Sequence, residues 1–253
     1  MALYTIIMAG GRGERFWPLS TRALPKPFIP LLGSTSLLQE TVARIQPLVP
    51  PERTLISIGS EHEAVAREQL PGLPAENFIV EPEMRGTASA IGLAAVHLAQ
   101  RDPDATMAVL TADHHIGKPQ VFRDVVQAAL ELAQQDYIIT LGITPTWPST
   151  DYGYIEQDGA VDKANGYKAY HAARFVEKPN LNNAQKMLAL GNYSWNSGMF
   201  IWKVKVIMAE FSRQMPELHS SLLRIASLIG KPEYEQEMPA IWNKIAKQTI
   251  DYG

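Results

Sequence analysis

At 253 residues with 46% hydrophobic content, the chain is long enough to bury a substantial core as one large α/β domain. Its net charge of -3, with no basic block, excludes a broad electrostatic surface for nucleic acid or membrane, so any anion must be held locally. The absence of cysteine excludes disulfides and thiolate metal sites and fits a reducing compartment, with the cytoplasm as the default.

The apolar run from Leu3 to Met8 is too short to span a membrane and ends in glycines, so it reads as a buried strand. Further apolar runs at 54–58, 78–80, 106–110 and 138–143 alternate with stretches of helical period at 36–45, 61–69, 87–100 and 121–134. That alternation predicts βα units wound around a mostly parallel sheet. After Pro145 the rhythm changes: strands are expected at 154–155, 167–176 and 199–202, with a helix at 182–190 between the last two. From Lys203 onward Val204, Ile207, Met208 and Phe211 share one helical face, and a second helix is expected around 222–229. The expected organisation is a single domain, 1–253, in two halves, 1–145 and 146–253.

The first strand runs into Ala9-Gly10-Gly11-Arg12-Gly13-Glu14-Arg15-Phe16, where missing side chains let backbone N–H groups approach phosphate oxygens. Neither the P-loop spacing nor the dinucleotide fingerprint is present. Arg15 follows the glycines, and Lys26 is bracketed by Pro25 and Pro27, which restrict the backbone on both sides. A forked guanidinium and a compact ammonium can stabilise a pentavalent phosphorus and a departing pyrophosphate. Taken alone, the same residues also describe a tight turn and two solvated charges.

Leu110-Thr111-Ala112-Asp113-His114-His115 puts a carboxylate at the carboxyl edge of a parallel sheet, where such folds bind ligands. Asp113 suits Mg²⁺; the adjacent histidines invite zinc, but no cysteine is available, and a hard ion with phosphate fits a lone carboxylate better. An aspartate there also serves as a turn former. Glu81 ends the third strand and Arg85-Gly86-Thr87-Ala88-Ser89 begins a helix, so Glu81 and helix N-terminal amides could face a ligand. A carboxylate accepts from guanine N1–H and N2–H₂ together and is left unpaired by adenine. Thr87 as a simple helix cap, with Glu81 in solvent, is the competing reading. Phe175-Val176-Glu177-Lys178-Pro179 joins a carboxylate for sugar hydroxyls to a lysine for a sugar phosphate.

The glycine-rich stretch through Ser20, with Lys26-Pro27-Phe28, resembles the signature of the sugar-phosphate nucleotidyltransferases, and its wording is most similar to the mannose-1-phosphate guanylyltransferases. Thr111-Ala112-Asp113-His114, Tyr152-Gly153-Tyr154-Ile155, the Glu177-Lys178 segment, Asn196-Ser197-Gly198-Met199-Phe200 and Thr249-Ile250-Asp251-Tyr252 follow in the order of that family's motifs. The resemblance implies a Rossmann-like nucleotidyltransferase fold, a mixed, mostly parallel sheet flanked by helices, with 1–145 binding nucleotide and 146–253 the sugar phosphate. It implies that an oxygen of mannose 1-phosphate attacks the α-phosphorus of GTP in line with Mg²⁺ present, releasing GDP-mannose and pyrophosphate.

On that resemblance Ala9, Gly10, Gly11, Gly13, Arg15, Lys26, Glu81, Thr87, Ala88 and Asp113 face the nucleotide. Tyr152, Gly153, Glu177, Lys178, Asn196 and Ser197 face the sugar phosphate, Asp113 and Asp251 hold the metal, and Arg15, Lys26, Asp113 and Lys178 carry the chemistry. Thr111 stands where relatives have proline, Thr249 for serine, Gly86 for asparagine and Ser89 for proline. The last two departures keep open a sister specificity with another base or sugar. A nucleotide-sugar-sensing subunit without turnover is the reading from a different class. The resemblance also implies a continuation beyond Gly253, into a β-helical segment or a fused isomerase domain, and a homodimer of the longer protein; neither nucleic acid nor membrane is expected as a partner.

Overall fold

Strand β1 (Leu3–Met8) carries Ile6 and Ile7 with no exposed surface, as a near-continuous apolar run at the centre of a parallel sheet requires. It pairs in parallel with β2 (Thr54–Gly59) on one side and β4 (Thr106–Thr111) on the other, and β2 pairs in parallel with β3 (Phe78–Glu81). The computed structural model describes residues 2–10, 16–31 and 33–252, and only the backbone of Asp162, Lys163 and Tyr252.

The remaining strands are β5 (Ile139–Ile143), β6 (Tyr154–Ala164), β7 (Tyr167–Val176) and β8 (Tyr193–Lys203). The sheet order is β3-β2-β1-β4-β8-β6-β7, with β5 also paired to β8. β8 is antiparallel to β4, β5 and β6, and β7 is antiparallel to β6. Among the described residues, then, β1 to β6 all point one way and only β7 and β8 point the other. The fold is a mixed, mostly unidirectional sheet flanked by helices, Rossmann-like in its parallel half.

The path of β8 creates the opening that matters. Trp195 pairs with Ile143 of β5 and with Tyr154 of β6, while Ile201 pairs with Ile139 of β5 and Ala108 of β4. A strand residue has two edges, so β4 and β6 share the edge of β8 opposite β5. Between the end of β4 and the start of β6 that edge is uncovered along 197–199, and a cleft forms at the carboxyl end of the parallel strands.

Helices cover both faces. On one lie α1 (Leu37–Ile45), α2 (Glu63–Gln69) and α4 (Pro119–Ala133), packed with Ile7, Ile56, Ile58 and Leu110. Ser36 and Gln39 form a reciprocal capping box that starts α1. On the other face lie α3 (Thr87–Arg101), α6 (Val204–Gln214), α7 (Pro216–Ala226) and α8 (Tyr234–Trp242), packed with Ile6, Leu55 and Val109. The small residues of α3 permit close approach, since a Cβ on Gly92 would overlap Leu222 of α7. A short helix, α5 (Leu181–Leu190), is capped by Asn180 and ended by left-handed Gly191 before β8. Among the described residues no helix is long and apolar enough to cross a membrane.

Candidate active site

Lys26 begins a single 3₁₀ turn, Lys26–Phe28, whose flanking prolines leave it few alternatives, and Pro27 and Phe28 anchor the turn in the core. Its ammonium lies 4.7 Å from the centre of the Phe16 ring and 3.4 Å from Asp113 Oδ2. Asp113 reaches this point because β4 ends at Thr111 beside β1. The cation of one loop and the carboxylate of another, 87 residues apart, thus meet at the carboxyl edge of the sheet.

These two side chains line a cavity of about 1150 Å³ together with Gly10, Phe16, Tyr152, Trp195, Asn196 and Ser197. The floor is apolar, from Ile116, Phe122 and Val125 at the start of α4 to Leu141 and Ile143 of β5. His114 also lines it, and burial pushes its imidazole below the ordinary range in spite of the Asp113 carboxylate 3.8 Å away. It is therefore held neutral at physiological pH.

Of the sugar-side candidates, Tyr152, Asn196 and Ser197 line the far wall, and Gly153, Glu177 and Lys178 lie behind it. Asn196 N–H donates to the Gly153 carbonyl at 2.8 Å, binding β8 to the segment that leads into β6. A Cβ on Gly153 would come within 3.1 Å of Glu177 Oε2, so the glycine leaves room for that carboxylate. Glu177 pairs with Lys178 at 2.8 Å, and Lys178 adopts φ 34° in the left-handed region before Pro179. Asn196 Nδ2 donates to Asp251 Oδ1 at 2.8 Å, which draws the last carboxylate to the cavity wall.

Other candidates are placed differently. The Ala9 N–H is taken by the Ser57 carbonyl at 2.9 Å, extending β1 into the sheet. The Ser197 hydroxyl donates to the Leu141 carbonyl at 2.6 Å and accepts from Met199 N–H, so it braces β8 against β5. Glu81 is buried, 5% exposed, and accepts from the Ser57 hydroxyl at 3.3 Å and from the Arg85 N–H. Burial pushes its carboxyl up to about 7. The Thr87 hydroxyl accepts from Ile250 N–H at 2.9 Å, and the Ala88 N–H donates to the Gln248 carbonyl at 3.2 Å. The N-terminus of α3 is thus occupied by the chain itself. Gly11, Gly13 and Arg15 lie outside the described residues.

Two aromatic residues, Phe16 on the wall and Trp147 packed against it, were not foreseen from sequence. Trp147, 52% exposed, stands 4.6 Å ring to ring from Trp195, and Tyr152 completes the cluster at 5.0 Å from Trp195. Its setting in Pro145-Thr146-Trp147-Pro148 reads as a loop break, and only an indole stranded between prolines hinted at more. Phe16, which supports Lys26, was passed over as part of the glycine-rich stretch.

The model of the nucleotidyl transferase family matches residues 4–245. A mannose-1-phosphate guanylyltransferase of Escherichia coli is 41% identical over 218 residues, 85% of this chain and 46% of that protein. One from Sinorhizobium fredii (strain NBRC 101917 / NGR234) is 38% identical over 252 residues, 98% of this chain and 48% of the relative. The crystal structure of a protein described as mannose-1-phosphate geranyltransferase from Thermus thermophilus superposes with a TM-score of 0.89 at 37% identity, covering 100% of this chain and 70% of that one. The chain spans about half the length of the curated relatives it matches.

Proposed function

The chain belongs to the nucleotidyl transferase family, and from that premise we propose that it transfers GMP from GTP to mannose 1-phosphate, releasing pyrophosphate and forming GDP-mannose. The observation that carries this reading is the meeting of Lys26 and Asp113, 3.4 Å apart, in a cavity whose opposite wall is Tyr152 and Asn196. A triphosphate needs cationic and metal-binding groups on one side, and a hexose phosphate needs polar and ring contacts on the other. The similarity to guanylyltransferases from two organisms supports the choice of base and sugar.

The reaction needs no nucleophile from the protein, because a phosphate oxygen of the sugar attacks the α-phosphorus and the oxygen bridging to the β-phosphate departs with pyrophosphate. The side chains position the reactants and offset charge. Lys26 faces the triphosphate, joined in this reading by Arg15. Lys178 orients the attacking phosphate, Glu177 and Asn196 accept and donate to sugar hydroxyls, and the Trp147, Tyr152 and Trp195 rings take the apolar face of the sugar.

Among the described residues no three His, Asp or Glu side chains form a metal cage. Asp113, with its side chain 45% exposed, and Asp251, held through one oxygen by Asn196, are hard oxygen donors that suit Mg²⁺ completed by phosphate oxygens. The ion would neutralise charge building on the α-phosphate. Guanine is assigned to the carboxyl edge of β2 and β3, where Glu81 must be ionised to accept from both guanine donors. We place the reaction in the cytoplasm, on free substrates.

Pyrophosphate release tests the reading: mannose 1-phosphate and glucose 1-phosphate are each paired with GTP, UTP, ATP and dTTP in the presence of Mg²⁺. The expected result is that GTP with mannose 1-phosphate is fastest by far. A faster pair would replace the base or the sugar, and nucleotide binding with no turnover on any pair would favour a sensing subunit.

A further inference from the structure

Residues 245–251 cross the start of α3 and are fastened there through both backbone and side chains. Gln248 N–H donates to the Arg85 carbonyl at 3.1 Å, and its own carbonyl accepts from Ala88 N–H at 3.2 Å. Arg85 Nη1 reaches the Ile245 carbonyl at 3.4 Å, and Ile250 N–H donates to Thr87 Oγ1 at 2.9 Å. Gly86 makes the approach feasible: its φ is +94°, and a Cβ there would fall inside contact distance of the Gln248 carbonyl. One residue beyond the last tether, Asp251 takes the Asn196 amide at 2.8 Å.

We propose that Gly86 and Thr87 are positioning residues for Asp251, docking the 245–251 strap so that this carboxylate is presented at the cleft. This rests on the reading of Asp251 as a metal-holding carboxylate. The two ends of the hold are complementary. Thr87 fixes the backbone at Ile250, and Asn196, on the opposite wall, fixes the carboxylate, so Asp251 is constrained from both sides. A helix N-terminus that in isolation would attract phosphate is here spent on the chain's own carbonyl and amide. Thr87 therefore acts on the reaction through Asp251 and not by touching nucleotide.

Thr87→Val removes the acceptor at nearly constant volume, and Thr87→Ser keeps it. Mn²⁺ binding is read by electron paramagnetic resonance with GTP and no sugar phosphate, and exchange of the Ile250 amide is read alongside. Thr87→Val is expected to weaken Mn²⁺ binding about tenfold or more, as lost outer partners of metal ligands do. It should also speed Ile250 exchange and leave the KM for GTP at saturating metal within about twofold. Thr87→Ser should restore both readouts, and Gly86→Ala, which displaces the strap from the other side, should repeat the Val phenotype. Unchanged Mn²⁺ affinity in Thr87→Val overturns the proposal, as does a raised KM for GTP with normal exchange, which would put Thr87 on the nucleotide. Asp251→Asn separates the premise: if it binds Mn²⁺ normally, the metal reading of Asp251 fails and the proposal with it, even where Thr87→Val still frees the Ile250 amide.

Discussion

The two walls of the cleft are built on opposite principles. On the parallel side, Glu81 is 5% exposed and Lys26 is held between a ring and a carboxylate with its side chain 21% exposed, while the Asp113 side chain that pairs with it is half-exposed. On the wall reached through β6 and β7, Glu177 and Lys178 pair in the open, with side chains 42% and 59% exposed. An exposed pair contributes little and exchanges partners easily, whereas a sunken charge is fixed in place and costly to leave without one. On the proposed reading, the parallel wall is set before the ligand arrives, whereas Glu177 and Lys178 can exchange each other for the ligand. Variants of Lys26 and Asp113 should fail in kcat, and variants of Glu177 and Lys178 in KM for the sugar phosphate.

The strongest break would come from Asp113→Asn. The side chain is half-exposed and its pairing with Lys26 contributes at most about 1 kcal/mol, so the melting transition should barely move. Turnover should fall roughly 100- to 1,000-fold, the loss typical of one preorganised charge-stabilising group. Near-normal kcat with a raised KM for GTP would place Asp113 among simple binding groups and erase the contrast between the walls.

Much of the parallel wall was legible because buried parallel strands are apolar on both faces. The runs at 4–8, 54–58 and 106–110 coincide with β1, β2 and β4 to within one residue at either end. The opposite wall was harder to read. β6 was expected at 154–155 and runs to Ala164, because Glu156, Gln157 and Asp158 carry no apolar alternation. β8 begins six residues before the expected 199. Pro239 lies inside α8, a helix that periodicity did not announce.

Lys26, Asp113 and Asn196, named from their motifs, line one cavity. Thr87 and Ala88 resembled an anion site, yet the groups that occupy them come from Gln248 and Ile250, a contact across about 160 residues that no local spacing can express. The same contact accounts for Gly86, which on sequence alone stood out as a departure.

Lys178→Met sharpens the comparison from the other wall. A charge-assisted contact to phosphate contributes about 1.5–3 kcal/mol, so the KM for mannose 1-phosphate should rise roughly tenfold to a hundredfold while the KM for GTP stays put. Lys178 holds a left-handed backbone at φ 34°, a conformation that costs on the order of 1–3 kcal/mol and is kept only where the surroundings demand it. A loss confined to kcat would move Lys178 to the preorganised set and show that backbone strain, not exposure, sorts the residues.

The smallest effect concerns Glu81, and pH exposes it. Its carboxyl is raised to about 7 from 4.5, chiefly by burial, so between those values the folded protein keeps a proton that the unfolded chain releases. Stability from this group is therefore present at low pH and lost as pH rises through that window. On the proposed reading, recognition runs the other way, because only the ionised carboxylate accepts from both guanine donors. The KM for GTP should rise several-fold as pH falls below about 7, and Glu81→Gln should flatten that dependence and the loss of melting temperature across the same window. If the Gln variant flattens stability but leaves the KM profile and the preference for GTP unchanged, Glu81 is a buried brace for Ser57 and Arg85. The base would then be read elsewhere on the parallel wall.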